Sequence, residues 1–428
     1  MKKGLVLAGG GTRGAYQSGA LRALRALKKD DWQVVTGTSV GALNGALVVQ
    51  KDYEAMDAMW ENLKQEDIIE GAFTTDFNLE TLFNERNQVA TFFKNYVKEK
   101  GANITPFINR AKRMFHPDAF FNSPIDFGCI VVKKQNLKPV YVSKEMMKKN
   151  GVDWLVASAS AFPIFPIYEF EEGEFLDGGY FDNLPIDYAL RLGAEEVIAI
   201  DLHDPLVHPN FLYRPNVTYI YPRLKLENFM SFDREWLDKL IWHGYHDVMK
   251  TYGVYSGWLY TFEKCELPSY FLNFYRDIEL LETRIKLASN INESLRSDAA
   301  IYSALTDLLH KPVLTDEEFF FGCMDALMDL CKLNQETIYT YEEARNQILV
   351  HFKRAVEETY FSFENLGPTT IKEYTKTLTI HGVVERMVHG ILYPKDEFLN
   401  ENLRLTLYPS ENALAILVVY MLNELGEK

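Results

Sequence analysis

The stretch Gln33-Val34-Val35-Thr36-Gly37-Thr38-Ser39-Val40-Gly41-Ala42, followed by the apolar run to Val49, decides how this chain is read. Residues 33–36 are a short β-branched run of the kind that forms a buried strand, and Ala42 to Val49 has the composition and length of a helix. Between them, Gly37-Thr38-Ser39-Val40-Gly41 matches G-x-S-x-G, and a strand turning sharply into a helix is the setting a nucleophile elbow requires. Gly37 and Gly41 have a physical task there. The turn holds the serine in a strained conformation, and side chains beside it would block an approaching substrate. The helix N-terminus beneath Ser39 favours negative charge at that point. The plainer alternative is an ordinary serine N-cap.

Upstream, Leu5 to Ala8 reads as a first buried strand and Tyr16 to Lys29 as a helix with Ala20, Leu24 and Leu27 on one face, which with residues 33–36 makes a βαβ unit. The loop between strand and helix is Gly9-Gly10-Gly11-Thr12-Arg13-Gly14. Such a loop aims several backbone N–H groups from a helix N-terminus and suits a negative oxygen. Two uses compete. Gly9, Gly11 and Gly14 fit a dinucleotide G-x-G-x-x-G, but that reading expects an acidic residue at the end of the second strand. Here the second strand ends in the serine elbow, which brings the loop and Ser39 to one sheet edge and favours an oxyanion hole. Arg13 stays open between bracing the loop, orienting a phosphate headgroup and a surface salt bridge.

Downstream, Cys129 to Val132, Val140 to Val142, Phe175 to Asp177, Val197 to Ile200 and Val217 to Tyr221 read as further strands alternating with helical periods. The expected fold is α/β, a mostly parallel sheet flanked by helices. Residues 60–127 interrupt this rhythm with Phe73, Phe77, Phe83, Phe92, Phe93, Phe107, Phe115, Phe120 and Phe121, a helical cap over the site or simply helices buried against the sheet. After about Leu226 strand signals fade, and Glu317 to Leu333, Tyr341 to Tyr360, Ile371 to Leu392 and Glu411 to Leu425 read as helices. The boundary is therefore placed near 222–230, with a catalytic domain over 1–225 and a mainly α-helical C-terminal region over 226–428.

Leu176-Asp177-Gly178-Gly179 closes one of these strands, and its glycines let a carboxylate approach another loop, although Asp-Gly alone is commonly a turn. With it the residues add up to a family. The glycine loop, the G-x-S-x-G elbow and Asp-Gly-Gly, in this order and spacing, resemble the patatin-like phospholipases. So do Ala157-Ser158-Ala159-Ser160-Ala161-Phe162-Pro163-Ile164-Phe165-Pro166 and Gly179-Tyr180-Phe181-Asp182-Asn183-Leu184-Pro185. The likeness covers roughly residues 4–222, is nearest to bacterial intracellular members, and leaves the second half unmatched.

The resemblance implies a Ser-Asp dyad without histidine. Ser39 attacks the acyl carbonyl of a phospholipid, lysophospholipid or other acyl ester, Asp177 takes its proton, and water then releases the fatty acid. The amides of Gly10 and Gly11 stabilise the oxyanion, calcium is not needed, and no cofactor or metal is expected. An aspartate with an ordinary pKa near 3.9 is a weak base, so the site should be partly desolvated.

Charge narrows the partners. With 45 basic against 60 acidic residues and a net charge of −15, phosphate-backbone attraction is not a main source of affinity, which excludes nucleic acid and leaves transient apolar contact with a membrane surface. Lys144, Lys148 and Lys149 form either a local basic patch or a solvated helix face. Cys129, Cys265, Cys323 and Cys331 are scattered, as in a reducing cytoplasmic compartment. The apolar run Ala413 to Leu422 is far short of the roughly 20 residues that span a bilayer. Two rivals remain: a triad completed by His203, and a catalytically idle lipid- or partner-binding protein. His243 and His246 lack the H-E-x-x-H pattern, and no zinc site is read.

Overall fold

The computed structural model describes residues 1–70, 103–226, 229–291, 305, 314–357, 379–396 and 408–426, and divides the chain into two compact units, Met1–Thr251 and Tyr252–Lys428.

The first unit is built on an eight-stranded sheet: β1 (Lys3–Leu7), β2 (Val34–Gly37), β3 (Asp126–Lys133), β4 (Pro139–Ser143), β5 (Tyr168–Phe170), β6 (Gly173–Asp177), β7 (Glu196–Ile200) and β8 (Val217–Ile220). Strands β8, β7, β1, β2 and β3 run parallel in that order, while β4, β5 and β6 are antiparallel additions. All expected strands are present, and β5 is one the sequence pattern did not show. The helices are α1 (Gly14–Ala26), α2 (Val40–Gln50), α3 (Tyr53–Asn62), α4 (Thr105–Met114), α5 (Pro117–Asn122), α6 (Met147–Ser158), α7 (Ile186–Arg191) and α8 (Arg234–Thr251). Leu5, Val6 and Leu7 are fully buried, as a central parallel strand covered on both faces requires.

The register of β3 matters most for the site. Its one edge is taken by β4 over Gly128 to Val132. The other edge is shared end to end: β2 runs up it as far as Gly37 opposite Cys129, and β6 runs down it as far as Asp177 opposite Val131. The C-terminal ends of two strands thus point at each other with only Ile130 between them.

The first unit extends to Thr251 and not to about 225. Helix α8 lies across α1 at a glycine pair: a Cβ at Gly19 would collide with the carbonyl of Ile241, and one at Gly244 with that of Tyr16. Tyr16 also donates a 3.0 Å hydrogen bond to Asp247. Backbone contact this close joins α8 to the sheet domain, a long-range fact that a fading strand pattern does not carry.

The second unit has a small sheet of β9 (Tyr255–Ser256), β10 (Thr261–Glu263) and β11 (Ile338–Tyr339), and helices α9 (Phe271–Ile291), α10 (Asp316–Leu330), α11 (Tyr341–His351), α12 (Lys353–Glu357), α13 (Ile380–Leu392) and α14 (Pro409–Glu424). Phe274, Phe320, Met324, Phe352, Met387 and Val418 lie in its core. Thr315 with Glu318 and Thr340 with Glu343 form capping boxes that start α10 and α11. The expected helix over 341–360 breaks after His351. Thr379 caps Gly382 N–H, so α13 begins at Ile380, and residues 371–378 of the expected helix lie outside the described ones. No described helix is long and apolar enough to cross a membrane.

Candidate active site

Ser39 lies at the turn between β2 and α2 with φ 55° and ψ −128°, a left-handed conformation that costs a non-glycine residue of order 1–3 kcal/mol. The glycines on either side make the turn feasible. A Cβ at Gly37 would strike the Gly41 carbonyl, and one at Gly41 would strike that of Leu7. The Ser39 N–H donates to Ser158 Oγ at 3.1 Å, and that hydroxyl donates to the Ile130 carbonyl at 2.8 Å. Ser158 therefore ties the strained turn to the one residue separating β2 from β6. Sequence reading quoted Ser158 within its alanine- and serine-rich segment without giving it this role.

Asp177 comes up to the same point from β6 and is buried, 1% exposed. Its Oδ1 accepts the Gly179 N–H at 2.7 Å, and a Cβ at Gly178 would strike the Ile130 carbonyl. Oδ2 closes no hydrogen bond of ordinary geometry among the described residues, and the Ser39 hydroxyl lies close enough to the carboxylate to favour its charged form. Burial dominates and pushes the Asp177 pKa up to about 7, against the smaller opposing pulls of Ser39 and the Gly179 amide.

The glycine loop passes beside Ser39: a Cβ at Gly9 would come within 2.9 Å of the Ser39 Cβ. Its N–H groups divide in two. Gly9 N–H donates to the Asn183 carbonyl at 3.0 Å and Thr12 N–H to that of Phe229 at 2.7 Å, whereas those of Gly10 and Gly11 have no protein acceptor among the described residues. Gly11 has φ +57°, and a Cβ there would strike the Phe229 carbonyl, so the position suits glycine. Both ends of the loop are pinned from behind, Ala8 O by Gln17 Nε2 at 2.8 Å and Gly14 O by Asn44 Nδ2 at 3.2 Å. Gln17 and Asn44 bond each other at 2.9 Å, and Trp60 completes the buried network. None of these three was singled out from sequence, because no motif surrounds Gln17, Asn44 or Trp60.

Arg13 is 3% exposed and its Nη1 donates to the Leu202 carbonyl at 3.2 Å, so it braces the loop and is no surface residue. His203 lines the same cavity as Ser39, but both its ring nitrogens are engaged away from that residue. Its Nδ1 donates to Asp201 at 2.7 Å and its Nε2 accepts from Asn183 at 2.7 Å, which occupies the nitrogen a triad would need for Ser39. Asp201 is buried, which raises its pKa, yet the bonds from His203, Tyr219 and the Val207 amide outweigh that and hold it below the ordinary value.

Ser39, Asp177, Gly10 and Gly11 open onto a cavity walled by apolar side chains such as Leu47, Phe107, Met114, Phe115, Ile164 and Phe165. Of the phenylalanines expected over residues 60–127, Phe107 and Phe115 reach this cavity, Phe120 is buried against Phe127 of β3, and Phe73, Phe77, Phe83, Phe92 and Phe93 lie outside the described residues. The lysine cluster is no free basic patch. Lys144 caps the carbonyls of Ser123 and Ile125, Lys148 pairs with Glu145 at 2.7 Å, and Lys149 pairs with Glu171 at 2.6 Å.

Residues 5–190, less than half of the chain, match the model of the patatin-like phospholipase family. A putative patatin-like phospholipase domain-containing protein of Caenorhabditis elegans is 32% identical over 206 residues, 46% of this chain and 16% of its own length. The lysophospholipase NTE1 of Scheffersomyces stipitis is 27% identical over 203 residues, 46% of this chain and 12% of its own length. The matched segment is thus less than a sixth or so of either relative. VipD from Legionella pneumophila aligns with a TM-score of 0.39 at 13% identity, over 98% of this chain and 91% of that one.

Proposed function

We propose that this chain is a lipid acyl hydrolase of the phospholipase A or lysophospholipase type, working through a Ser39–Asp177 dyad. The observation that carries the reading is the convergence of four groups in the lining of one largely apolar cavity: a strained serine, a buried carboxylate with an oxygen unpaired among the described residues, and the amides of Gly10 and Gly11, likewise without a protein acceptor there. Ser39 Oγ attacks the carbonyl carbon of the ester while its proton passes to Asp177 Oδ2. The oxygen that gains negative charge is met by the Gly10 and Gly11 N–H groups, a contribution of about 3 kcal/mol per donor in such sites. Collapse breaks the ester C–O bond and returns the proton to the departing alcohol. Water, deprotonated by the same carboxylate, then attacks the acyl-serine and frees the fatty acid.

A pKa near 7 makes Asp177 a far better base than an exposed aspartate, since proton transfer is most effective when the catalyst's pKa lies close to the working pH. The apolar walls accept the acyl chain, and substrate is drawn from a lipid surface by transient contact. The test is labelling with a fluorophosphonate, followed by mass spectrometry of the fatty acids released from defined phospholipids and lysophospholipids. One label at Ser39 with fatty acid release supports the reading; an unlabelled Ser39 supports the idle-binder alternative.

A further inference from the structure

The second unit holds a constellation that the sequence does not announce. Cys331, His351 and His381 are 20 and 30 residues apart, with none of the short spacings by which zinc motifs are recognised, yet their donor atoms lie within 4.8 Å of one another. Each comes from a helix end. Cys331 is the C-cap of α10, His351 is the last residue of α11, and His381 is the second residue of α13.

We propose that Cys331, His351 and His381 form a binding site for a zinc-class divalent cation that pins these three helix ends together. The donor set fits: one thiol and two imidazoles suit zinc and the softer first-row ions and are poor partners for calcium or magnesium. His381 Nε2 is buried and has no hydrogen-bond partner among the described residues, a cost normally avoided unless the nitrogen has a ligand. The His381 ring is held by stacking on Phe352, with centroids 4.9 Å apart and planes inclined by 12°. Cys331 is buried, as a thiolate ligand shielded from oxidation would be, whereas His351 is exposed and gives the ion a path from solvent.

Tetrahedral coordination at ordinary Zn–S and Zn–N lengths needs donors about 3.3–3.6 Å apart, so the site must contract by about 1 Å. His351, free at the surface, can supply that by side-chain rotation. The ends of α10 and α11 carry the negative pole of the helix dipole, which favours a cation between them, while the start of α13 opposes it more weakly from one side. On binding, the Cys331 thiol releases its proton to solvent and the sulfur bonds to the metal. Glu385, one turn beyond His381 and felt electrostatically by it, is the nearest acidic group on that helix. A water completes the fourth position.

The experiment uses the full chain, purified in chelator and titrated with Zn(II) against a chromophoric competitor, then with Co(II) as a spectroscopic substitute. Expected are one tightly bound ion per chain, a higher melting temperature with Zn(II), and a near-ultraviolet thiolate-to-Co(II) band. Loss of a group that merely supports a ligand weakens metal binding roughly 10–100-fold, so His351→Ala should exceed about 100-fold. That variant alters an exposed side chain and should fold normally. Cys331→Ser should remove the thiolate band. Equal Zn(II) affinity in wild type and His351→Ala, or Co(II) bound without a thiolate band, overturns the proposal. Because the readout is binding, the outcome is independent of whether Ser39 hydrolyses esters.

Discussion

In the unit Met1–Thr251, Ser39 and Asp177 meet because each sits where a strand ends against the same edge of β3; in the unit Tyr252–Lys428, Cys331, His351 and His381 meet because three helix ends close around an aromatic core. The first arrangement is held by backbone. Ladder hydrogen bonds fix the register, and Gly37, Gly41 and Gly178 stand where any side chain would collide with a carbonyl. The second is held by side-chain packing, which tolerates rotation and leaves donors to be drawn in by a ligand. A site that must stabilise a transition state needs the first kind of precision, since misplacement by about 1 Å can cost 100-fold in rate. A cation site can be completed by the ion itself.

The largest expected effect tests whether the backbone-held site is the whole of the chemistry. Ser39→Ala should lower kcat for a chromogenic acyl ester by at least about 1,000-fold. Its melting curve should be unchanged, because the Ser39 N–H bond to Ser158 survives the change. Substantial turnover in this variant means that another residue acts as nucleophile.

Asp177→Asn should cost activity to a similar order and also separates catalysis from stability. In the wild type, log kcat/KM should rise as pH passes through about 7, because the base must be ionised. The stability effect has the opposite direction. A carboxyl whose folded pKa lies above its unfolded value contributes stability below about pH 4, and this is lost as pH rises through about 7. Asn carries no charge to bury, so the variant should gain up to roughly 4 kcal/mol over wild type above pH 7 and nothing near pH 4. Chemical denaturation at the two pH values measures this, and an equal effect at both would mean that the fold does not raise the Asp177 pKa.

A smaller loss, about 100- to 1,000-fold and mainly in kcat, is expected for Gly10→Ala, the price of one displaced oxyanion donor. The new Cβ would lie 2.9 Å from Leu202 Cδ1, and Leu202 is fully buried and cannot yield. A loss confined to KM would place the loop in substrate binding alone. The smallest effect is reserved for His203→Ala, which should keep activity within about 10-fold. It removes a brace on Asn183 while Asp201 retains Tyr219 and the Val207 amide. Should this variant be the inactive one, the triad would replace the dyad and the comparison would have to be redrawn.

Much of the first unit was legible because its proposed chemistry sits at glycine-forced turns. A glycine that cannot be replaced leaves a mark in the sequence, and so Gly9 to Gly14, Gly37-Thr38-Ser39-Val40-Gly41 and Asp177-Gly178-Gly179 could be read with their order and their strands. The parallel sheet followed from alternating β-branched runs and helical periods. Tertiary structure decided the rest. That β2 and β6 share one edge of β3, that Ser158 joins Ser39 to Ile130, and that His203 spends both ring nitrogens on Asp201 and Asn183 are consequences of register. No local pattern encodes a register between strands that lie about 40 (β3 and β6) or about 90 (β2 and β3) residues apart. Helix α8 joined the first unit through Gly19 and Gly244, far apart in the chain and adjacent only once two helices cross. The gathering of Cys331, His351 and His381 likewise needed three packed helices, since local sequence sets which way a helix runs and where it is capped, while which helix ends meet is settled by burial of the shared core.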